Sequence, residues 1–178
     1  MFLSLIEKRR SIRRFQGRRV EPEKVDMLIE AALRSPSSLG NNPWEFVVVD
    51  DADLLEKLSR AKQHGSSFLK NAPLGIVVCA DPGKSSVWVE DASIASIFIL
   101  LAAESIGLGG CWIQIRERIY DGSKTSEAYI SELLGIPEGI KVEAIMAVGY
   151  PAETKAPHPR EDLLFQRVYL GSHGKPRR

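Results

Sequence analysis

The longest apolar stretch of the chain lies between residues 87 and 115. Residues 88–106 carry two acidic residues near their start, where negative charge interacts favourably with the N-terminal end of a helix dipole. Residues 97–103 are apolar on every side of a helical projection. A helix without a polar side is typical of one that is buried all round. Residues 107–110, Gly-Leu-Gly-Gly, end the helix, and residues 111–115 continue as a strand. We therefore predict a buried central helix followed by a strand, in a two-layer α/β domain.

The spacing of apolar residues elsewhere predicts four further helices and three further strands. The helices are expected at residues 2–8, 21–34, 52–62 and 125–134, and the strands at 45–50, 74–80 and 141–149. Residues 35–44 and 65–71 are expected to be loops, the second with a short turn of helix. From about residue 150 the chain is polar and rich in proline, which predicts an extended tail that needs another surface, such as a second subunit, to lie on.

Composition narrows the protein class. With 178 residues, 44% hydrophobic and 26% charged, the chain has the size of one globular domain, and we predict a single domain over residues 1–178. The net charge of +1 gives no case for a nucleic-acid or membrane partner. Its two cysteines and three histidines lack metal-site spacing, so no metal site is expected and both thiols are expected to be buried. The first residues lack the order of a signal peptide, which predicts a cytoplasmic protein.

A basic segment near the start, residues 9–15, reads Arg-Arg-Ser-Ile-Arg-Arg-Phe. Alternation along an extended chain would bury Ile12 and Phe15. It would direct the side chains of Arg9, Ser11 and Arg13 to the opposite side. Guanidinium groups match phosphate oxygens bidentately, so the segment suits a phosphate, although a solvated basic turn fits the pattern equally well.

The loop at residues 35–44, Ser-Pro-Ser-Ser-Leu-Gly-Asn-Asn-Pro-Trp, is dense in hydroxyl and amide groups and leads directly into a strand. Such a loop is a candidate rim of a ligand site, with a plain connection as the alternative. The chain carries no HExxH, GxSxG, P-loop or dinucleotide-binding GxGxxG motif, and no carboxylate pair stands out as an acid–base couple. An enzyme of this sequence would therefore depend on a bound cofactor, and a flat ring carrying a phosphate fits the basic segment, the polar loop and the glycine-rich turn.

Four stretches in order along the chain resemble motifs of the nitroreductase family of FMN enzymes. Residues 9–15 resemble its RRS-x-R-x-F phosphate motif, and residues 35–44 are similar to its SPS-x-x-N-x-QPW loop. Residues 90–95 with residues 107–113 resemble its central helix and GLG-x-CWIG turn. Leu-Gly-Ile-Pro at 134–137, Gly-Tyr-Pro at 149–151 and Pro159-Arg160 complete the order.

The resemblance implies an α+β fold, with a mixed, mostly antiparallel sheet flanked by helices and a long buried central helix at a homodimer interface. It implies an NAD(P)H-dependent FMN oxidoreductase in which hydride passes from NADH or NADPH through flavin N5, without a catalytic side chain, to a small flat acceptor such as a nitroaromatic or a quinone by ping-pong kinetics. The FMN-binding residues that it implies are Arg9, Arg10, Ser11, Arg13 and Arg160 at the phosphate and pyrimidine, Pro36, Ser37, Ser38 and Asn42 from the other subunit, and the backbone amides of Ile113 and Gln114 at N5 and O4.

Three positions depart from the family pattern: Gly40 stands where Asn is usual, Asn42 where Gln is usual and Gln114 where Gly is usual. We expect amide chemistry to survive at Asn42 and the Gln114 side chain to narrow the space over the flavin. Two alternatives stay open. One is a flavin-binding sensor or storage protein without turnover, and the other is a same-fold enzyme of different flavin chemistry, such as flavin fragmentation or dehalogenation.

Overall fold

A computed structural model of the protein describes residues 2–177, and a four-stranded sheet lies at its centre. The strands are β1 Trp44–Val49, β2 Leu74–Ala80, β3 Gly109–Gln114 and β4 Lys141–Gly149, in the spatial order β1-β2-β4-β3. All three pairings are antiparallel. The central strands β2 and β4 are buried along nearly their whole length, because their near-continuous apolar sequences can be covered on both faces.

Five helices surround the sheet: α1 Phe2–Lys8, α2 Pro22–Leu33, α3 Ala52–Ser59, α4 Trp88–Ser105 and α5 Ser126–Leu134. Local capping explains several of their ends. The Asp51 carboxylate accepts a hydrogen bond from the Leu54 N–H at the start of α3, and the Thr125 hydroxyl accepts one from the Ala128 N–H at the start of α5. Gly135 ends α5 with a φ of 66°, a left-handed conformation that glycine adopts without steric cost.

The fold has three layers, so the expectation of two layers was wrong. One hydrophobic cluster lies between the sheet and α3 with α5, and includes Leu58, Ile130 and Ile145. A second cluster lies between the other face of the sheet and α2 with α4, and includes Leu28 and Ile99. Helices therefore cover both faces of an antiparallel sheet, which confirms the predicted α+β class.

Apart from shifts of one residue at element ends, the predicted elements need four corrections. Helix α3 ends at Ser59 rather than residue 62, and Gly109 with Gly110 belongs to β3 rather than to the turn. The loop at 35–44 contains one 3-10 turn, Ser38–Gly40. The tail contains two more, Arg160–Asp162 and Phe165–Arg167, so it is not wholly extended.

Helix α4 is not buried all round within this chain, contrary to the expectation from its sequence. Seven of its residues are buried, but Ile94, Ile97 and Phe98 remain 37%, 46% and 37% exposed. Periodicity marks all sides of this helix as apolar, whereas the chain's own sheet and α2 cover only part of them. One apolar side is therefore left to another surface.

Within the described residues the parallel contact of the sheet is an isolated bridge between Ser11 of the basic segment and Gly110 of β3, which agrees with the predicted mixed, mostly antiparallel sheet. None of the helices within residues 2–177 has the length and apolarity that crossing a membrane requires.

Candidate functional site

The basic segment at residues 9–15 is attached to β3. Ser11 forms a parallel bridge with Gly110, and the Ile12 N–H donates to the Gly110 carbonyl over 3.0 Å. Glycine at position 109 permits this approach, because a Cβ there would lie 2.7 Å from Ile12 Cγ1. Ile12 and Phe15 are 7% and 9% exposed, which confirms the predicted alternation along this segment.

The chain that follows β4 holds the other side of the segment. The Gln16 N–H donates to the Tyr150 carbonyl, and the Ala152 N–H donates to the Arg14 carbonyl, each over 2.8 Å. The Glu153 carboxylate accepts from the Arg13 N–H over 2.6 Å, and this hydrogen bond is the main cause of a lowered Glu153 pKa. The basic segment is thus fixed between β3 and residues 150–156, and its side chains project from a defined backbone.

The arginines of the segment take different directions. The Arg10 guanidinium donates to the Ala156 carbonyl, while the Arg13 guanidinium lies 5.9 Å from the centre of the Phe68 ring. Arg9 is half-buried at the end of α1, where its N–H donates to the Leu5 carbonyl. Arg13 is therefore directed to the side of the sheet that carries α3 and the turn after it.

Several cations influence the titration of the Cys111 thiol. Burial raises the pKa of this thiol, and the charges of Arg13, Lys155 and Lys62 oppose that shift, as does a hydrogen bond with Ser11. Burial also lowers the pKa of Lys62, and the charge of Arg118 adds to that effect. Positive charges so gathered repel one another, and an anion placed among them would be stabilised.

Sequence reasoning missed three of these cations: Lys62, Lys155 and Arg118. Lys62 ends a predicted helix and Lys155 lies in the predicted tail, so no local motif distinguishes them from solvated surface charges. Lys155 Nζ donates to the Ser11 carbonyl over 2.6 Å, which places it beside the basic segment. The position of Lys155 beside the basic segment follows only from the packing of the first tail residues against residues 9–15.

The free edge of β3 offers backbone donors next to these cations. In an antiparallel pair, alternate residues direct both N–H and C=O toward the partner strand. The Ile115 N–H donates to the Glu143 carbonyl of β4, whereas the Gly110 carbonyl faces away and accepts from Ile12. By this alternation Trp112 and Gln114 direct their N–H groups outward, and neither has a hydrogen-bond acceptor within the described residues 2–177. By the same alternation the Ile113 N–H faces β4, so the expectation that this amide faces the flavin was wrong, and the Ile113 side chain is fully buried in the cluster on the α3 side.

The side chain of Gln114 is held on the opposite face of β3 from Cys111. The Trp112 indole donates to its Oε1 over 2.9 Å, and its Nε2 donates to the Arg116 carbonyl over 3.2 Å. Its Nε2 also lies 3.5 Å from Oε1 of Glu143, a residue that is 3% exposed. Burial raises the pKa of Glu143, whose Oε2 has no partner within the described part of the chain.

The polar loop at residues 35–44 is closed on itself. Ser37 Oγ donates to Asn42 Oδ1 over 2.9 Å and accepts from the Asn42 N–H over 3.0 Å. The N–H of Ser38 donates to the Asp91 carboxylate of α4 over 2.8 Å. Pro36 and Asn42 are exposed, and Ser37 and Ser38 are half-buried. In one chain the loop is therefore held by its own hydrogen bonds and by Asp91, with Pro36 and Asn42 at its surface.

Arg160 lies in the tail, where its guanidinium packs 5.1 Å from the centre of the Phe165 ring. Within residues 2–177, no hydrogen bond joins its side chain to the Ser11 region. Both cysteines are free and buried, as predicted. No group of three or more His, Cys, Asp or Glu side chains in the described residues is arranged to hold a metal ion.

Comparison with known proteins gives a consistent assignment. A protein of Archaeoglobus fulgidus, provisionally named NADH dehydrogenase/NAD(P)H nitroreductase, is 39% identical over 164 residues, which cover 90% of this chain and 91% of that protein. An FMN-dependent nitroreductase from Clostridium difficile R20291 superposes with a TM-score of 0.94 at 46% identity, covering 96% of this chain and 99% of that one. The iodotyrosine deiodinase of Thermotoga neapolitana is 25% identical over 194 residues, covering 93% and 97% of the two chains.

The sequence model of the Nitroreductase family matches residues 6–65 and 59–150, which together run from the last turn of α1 through β4. The matched region contains the basic segment, the polar loop, α4 and β3, the elements that carry most of the geometry described above. On this match and these relatives, the chain belongs to the nitroreductase family.

Proposed function

We propose that this protein is an FMN-dependent NAD(P)H oxidoreductase that reduces a small flat acceptor, such as a nitroaromatic or a quinone, by ping-pong kinetics. The observation that carries the proposal is the attachment of the basic segment and Lys155 to the edge of β3, beside outward-facing backbone donors. We further propose that residues 1–178 act as one domain with the tail from about residue 150 as an extension.

The residues present suit FMN. A phosphate needs charge-assisted donors, which Arg9, Arg10, Ser11 and Arg13 can supply on a fixed backbone. The ring's acceptor atoms need donors in a row, which the N–H groups of Trp112 and Gln114 can supply at the edge of β3. The glycines at the start of β3 allow the basic segment to approach, since a Cβ at Gly109 would meet Ile12.

When bound, FMN would supply the hydride-transfer chemistry between a nicotinamide and the acceptor. The chain's own residues hold and tune it. A cation near the pyrimidine stabilises the negative charge of a reduced flavin, and Arg13 and Lys62 are the cations that the fold brings to this side of β3. The N–H groups of Trp112 and Gln114 would hold the ring edge, and the fully buried side chain of Ile113 keeps water from the α3 side of β3. No proton transfer by a side chain is required.

A homodimer completes this proposal. Beyond the exposed side of α4, apolar residues are exposed along α1 and along the tail, including Phe2, Ile6, Leu164, Phe165 and Leu170, which are 62%, 46%, 50%, 48% and 57% exposed. Large exposed apolar areas of this kind mark interaction surfaces. In the dimer, the loop residues Pro36, Ser37, Ser38 and Asn42 would reach the FMN of the partner subunit, and Arg160 of the tail would add a phosphate contact.

The flavin proposal is tested on purified protein by its visible spectrum and by anaerobic mixing with NADH and with NADPH. We expect a yellow protein whose absorbance near the flavin maximum is bleached by at least one nucleotide and restored by a nitroaromatic or a quinone. A colourless protein that takes up no added FMN would contradict cofactor binding. A bound flavin that neither nucleotide reduces would favour the sensor or storage alternative.

Dimer formation is tested separately by light scattering. Substituting Ile97→Glu places a charge on the exposed apolar side of α4 and should shift the protein to a monomer with weakened FMN binding. Ala52→Glu adds the same charge at an exposed position of α3, on the opposite face of the sheet from α4, and should leave the dimer intact. A wild-type monomer in solution would contradict the dimer proposal.

Relatedness to an iodotyrosine deiodinase favours a second candidate, reductive dehalogenation at the same site. The two functions separate in one assay: steady-state turnover with a halogenated phenol and halide release as the readout, run beside the nitroaromatic and quinone acceptors. We expect turnover with the acceptors, and halide release without acceptor turnover would reverse the assignment.

A further inference from the structure

The carboxylate of Asp91 connects α4 to the polar loop. Asp91 lies in the first turn of α4 and is 2% exposed. One of its oxygens accepts the Ser38 N–H over 2.8 Å, and the other accepts the hydroxyl of Ser85 over 2.7 Å. A buried carboxylate is costly unless donors satisfy it, and here both oxygens have one. The burial of the Asp91 carboxylate therefore depends on the hydrogen bonds from Ser38 and Ser85.

The loop that this carboxylate holds has an unusual backbone. Leu39, Gly40 and Asn42 have φ angles of 52°, 69° and 45°, in the left-handed region, which is unfavourable for a leucine. Leu39 is also 95% exposed, so packing within the chain does not fix this turn. Among the hydrogen bonds found in residues 2–177, the one from Ser38 to Asp91 is the bond that leaves the segment 36–42.

Asp91 also lies on the helix whose exposed side we assign to the dimer interface. Ile94 follows one turn later on α4, and Ile97 and Phe98 continue the same exposed side. The loop on one side of Asp91 and the interface on the other are thus joined by a single buried carboxylate. Any shift of α4 against its partner would be transmitted to the backbone of Ser38.

We propose that Asp91 is a positioning residue that sets the conformation of the polar loop for cofactor contact across the dimer. This inference rests on the proposed function, because the loop's role is defined there by FMN. Asp91 touches neither cofactor nor substrate. It acts through Ser38, whose backbone it fixes, and through Ser85, which fixes the carboxylate in turn.

Two conservative substitutions separate the geometry of the hydrogen bonds from the charge. Asp91→Asn loses the charge but keeps an oxygen for the Ser38 N–H and offers an amide N–H to the Ser85 hydroxyl. Asp91→Glu keeps the charge but adds a methylene that moves the carboxylate away from both partners. Glu90→Gln removes a charge from an exposed neighbour in the same turn and is the matched control.

The measurements are the FMN dissociation constant by fluorescence titration, KM and kcat for the acceptor, and the melting temperature of the apo-protein. We expect Asp91→Glu to weaken FMN binding about 10-fold and to raise KM, consistent with the loss of a hydrogen bond to a charged group. Asp91→Asn should stay within about 3-fold of the wild type, since the hydrogen bonds are kept. Glu90→Gln should match the wild type in all three measurements.

The proposal is overturned if Asp91→Glu binds FMN like the wild type, or if Asp91→Asn is the weaker binder of the two. It is also overturned if either variant lowers only the melting temperature of the apo-protein, because a purely structural role would do that. Failure of the proposed function is recognised independently: the wild-type protein would then take up no FMN, and the titration would show no binding for any variant, including Glu90→Gln.

Discussion

The phenol of Tyr150 donates a hydrogen bond to Glu21 Oε2 over 2.7 Å and so joins the end of β4 to the start of α2. Lys24 Nζ donates to the same phenol oxygen and to the Ile106 carbonyl, each over 2.9 Å. This hydrogen bond from Tyr150 is the main cause of a Glu21 pKa of about 2, well below its ordinary value of 4.5. The contact lies beside the segment that fixes Gln16 and the arginines before it.

Replacing Tyr150→Phe should raise the pKa of Glu21 toward 4.5 and lower the free energy of unfolding at neutral pH, with the difference from the wild type shrinking as the pH falls. Because the folded-state pKa is depressed, the stabilising effect of this pair is fully present above about pH 4.5 and is lost as the pH falls toward about 2. Carboxyl NMR titration measures the pKa, and thermal melts from pH 2 to 7 measure the stability. A difference in melting temperature that stays constant over this range would contradict the assignment.

Replacing Gly109→Ala should separate the basic segment from β3. The new Cβ would lie 2.7 Å from Ile12 Cγ1, and overpacking of this kind destabilises a fold by about 1–3 kcal/mol. Denaturant titration measures the free energy of unfolding, and FMN binding should weaken in parallel because Ser11 and its neighbours move. Gly122→Ala meets no atom within 4 Å and is the control. Equal effects of the two substitutions would show that the contact with Ile12 is easily relieved.

Replacing Arg9 and Arg13 together by alanine should weaken FMN binding by several kcal/mol, since a hydrogen bond to a charged group is worth about 1.5–3 kcal/mol. A fluorescence titration measures the affinity. The matched control removes two exposed arginines that pair with glutamates on helices, Arg34 and Arg60. Unchanged affinity in the Arg9/Arg13 variant would mean that these guanidinium groups face water in the holoprotein.

Replacing Glu143→Gln should change the pH dependence of stability. Burial raises the pKa of Glu143, so the folded state holds its proton more tightly than the unfolded chain does. Its favourable effect is fully present below the unfolded pKa and is lost as the pH rises through the folded pKa. The free energy of unfolding of the variant relative to the wild type should therefore increase from pH 4 to pH 8.

Chemical denaturation at several pH values measures this difference, with Glu138→Gln at an exposed position as the control. A relative stability that does not change with pH would show that Glu143 titrates normally. The result bears on the site, because Glu143 lies next to the amide of Gln114 at the end of β3.

Much of this architecture could be predicted from the sequence, because it depends on neighbours within a few positions. Apolar runs predicted β2 and β4, helical spacing predicted α1 and α2 almost to the residue, and alternation predicted the burial of Ile12 and Phe15. The order of four motifs also predicted the family that the comparisons established. Each of these features is imposed locally, by side-chain periodicity and by the backbone preferences of glycine and proline.

Only the tertiary structure decided which distant groups meet. Asp91 and Ser38 are 53 positions apart, and neither residue is unusual in its local sequence. The set of cations that influences the Cys111 thiol depends on how the turn after α3 and the start of the tail pack against β3. Periodicity identified α4 as apolar on all sides, but only the fold shows that Ile94, Ile97 and Phe98 are left uncovered. The local sequence determines which side chains of an element are apolar and can be buried. The packing and register between elements decide which of those side chains are buried.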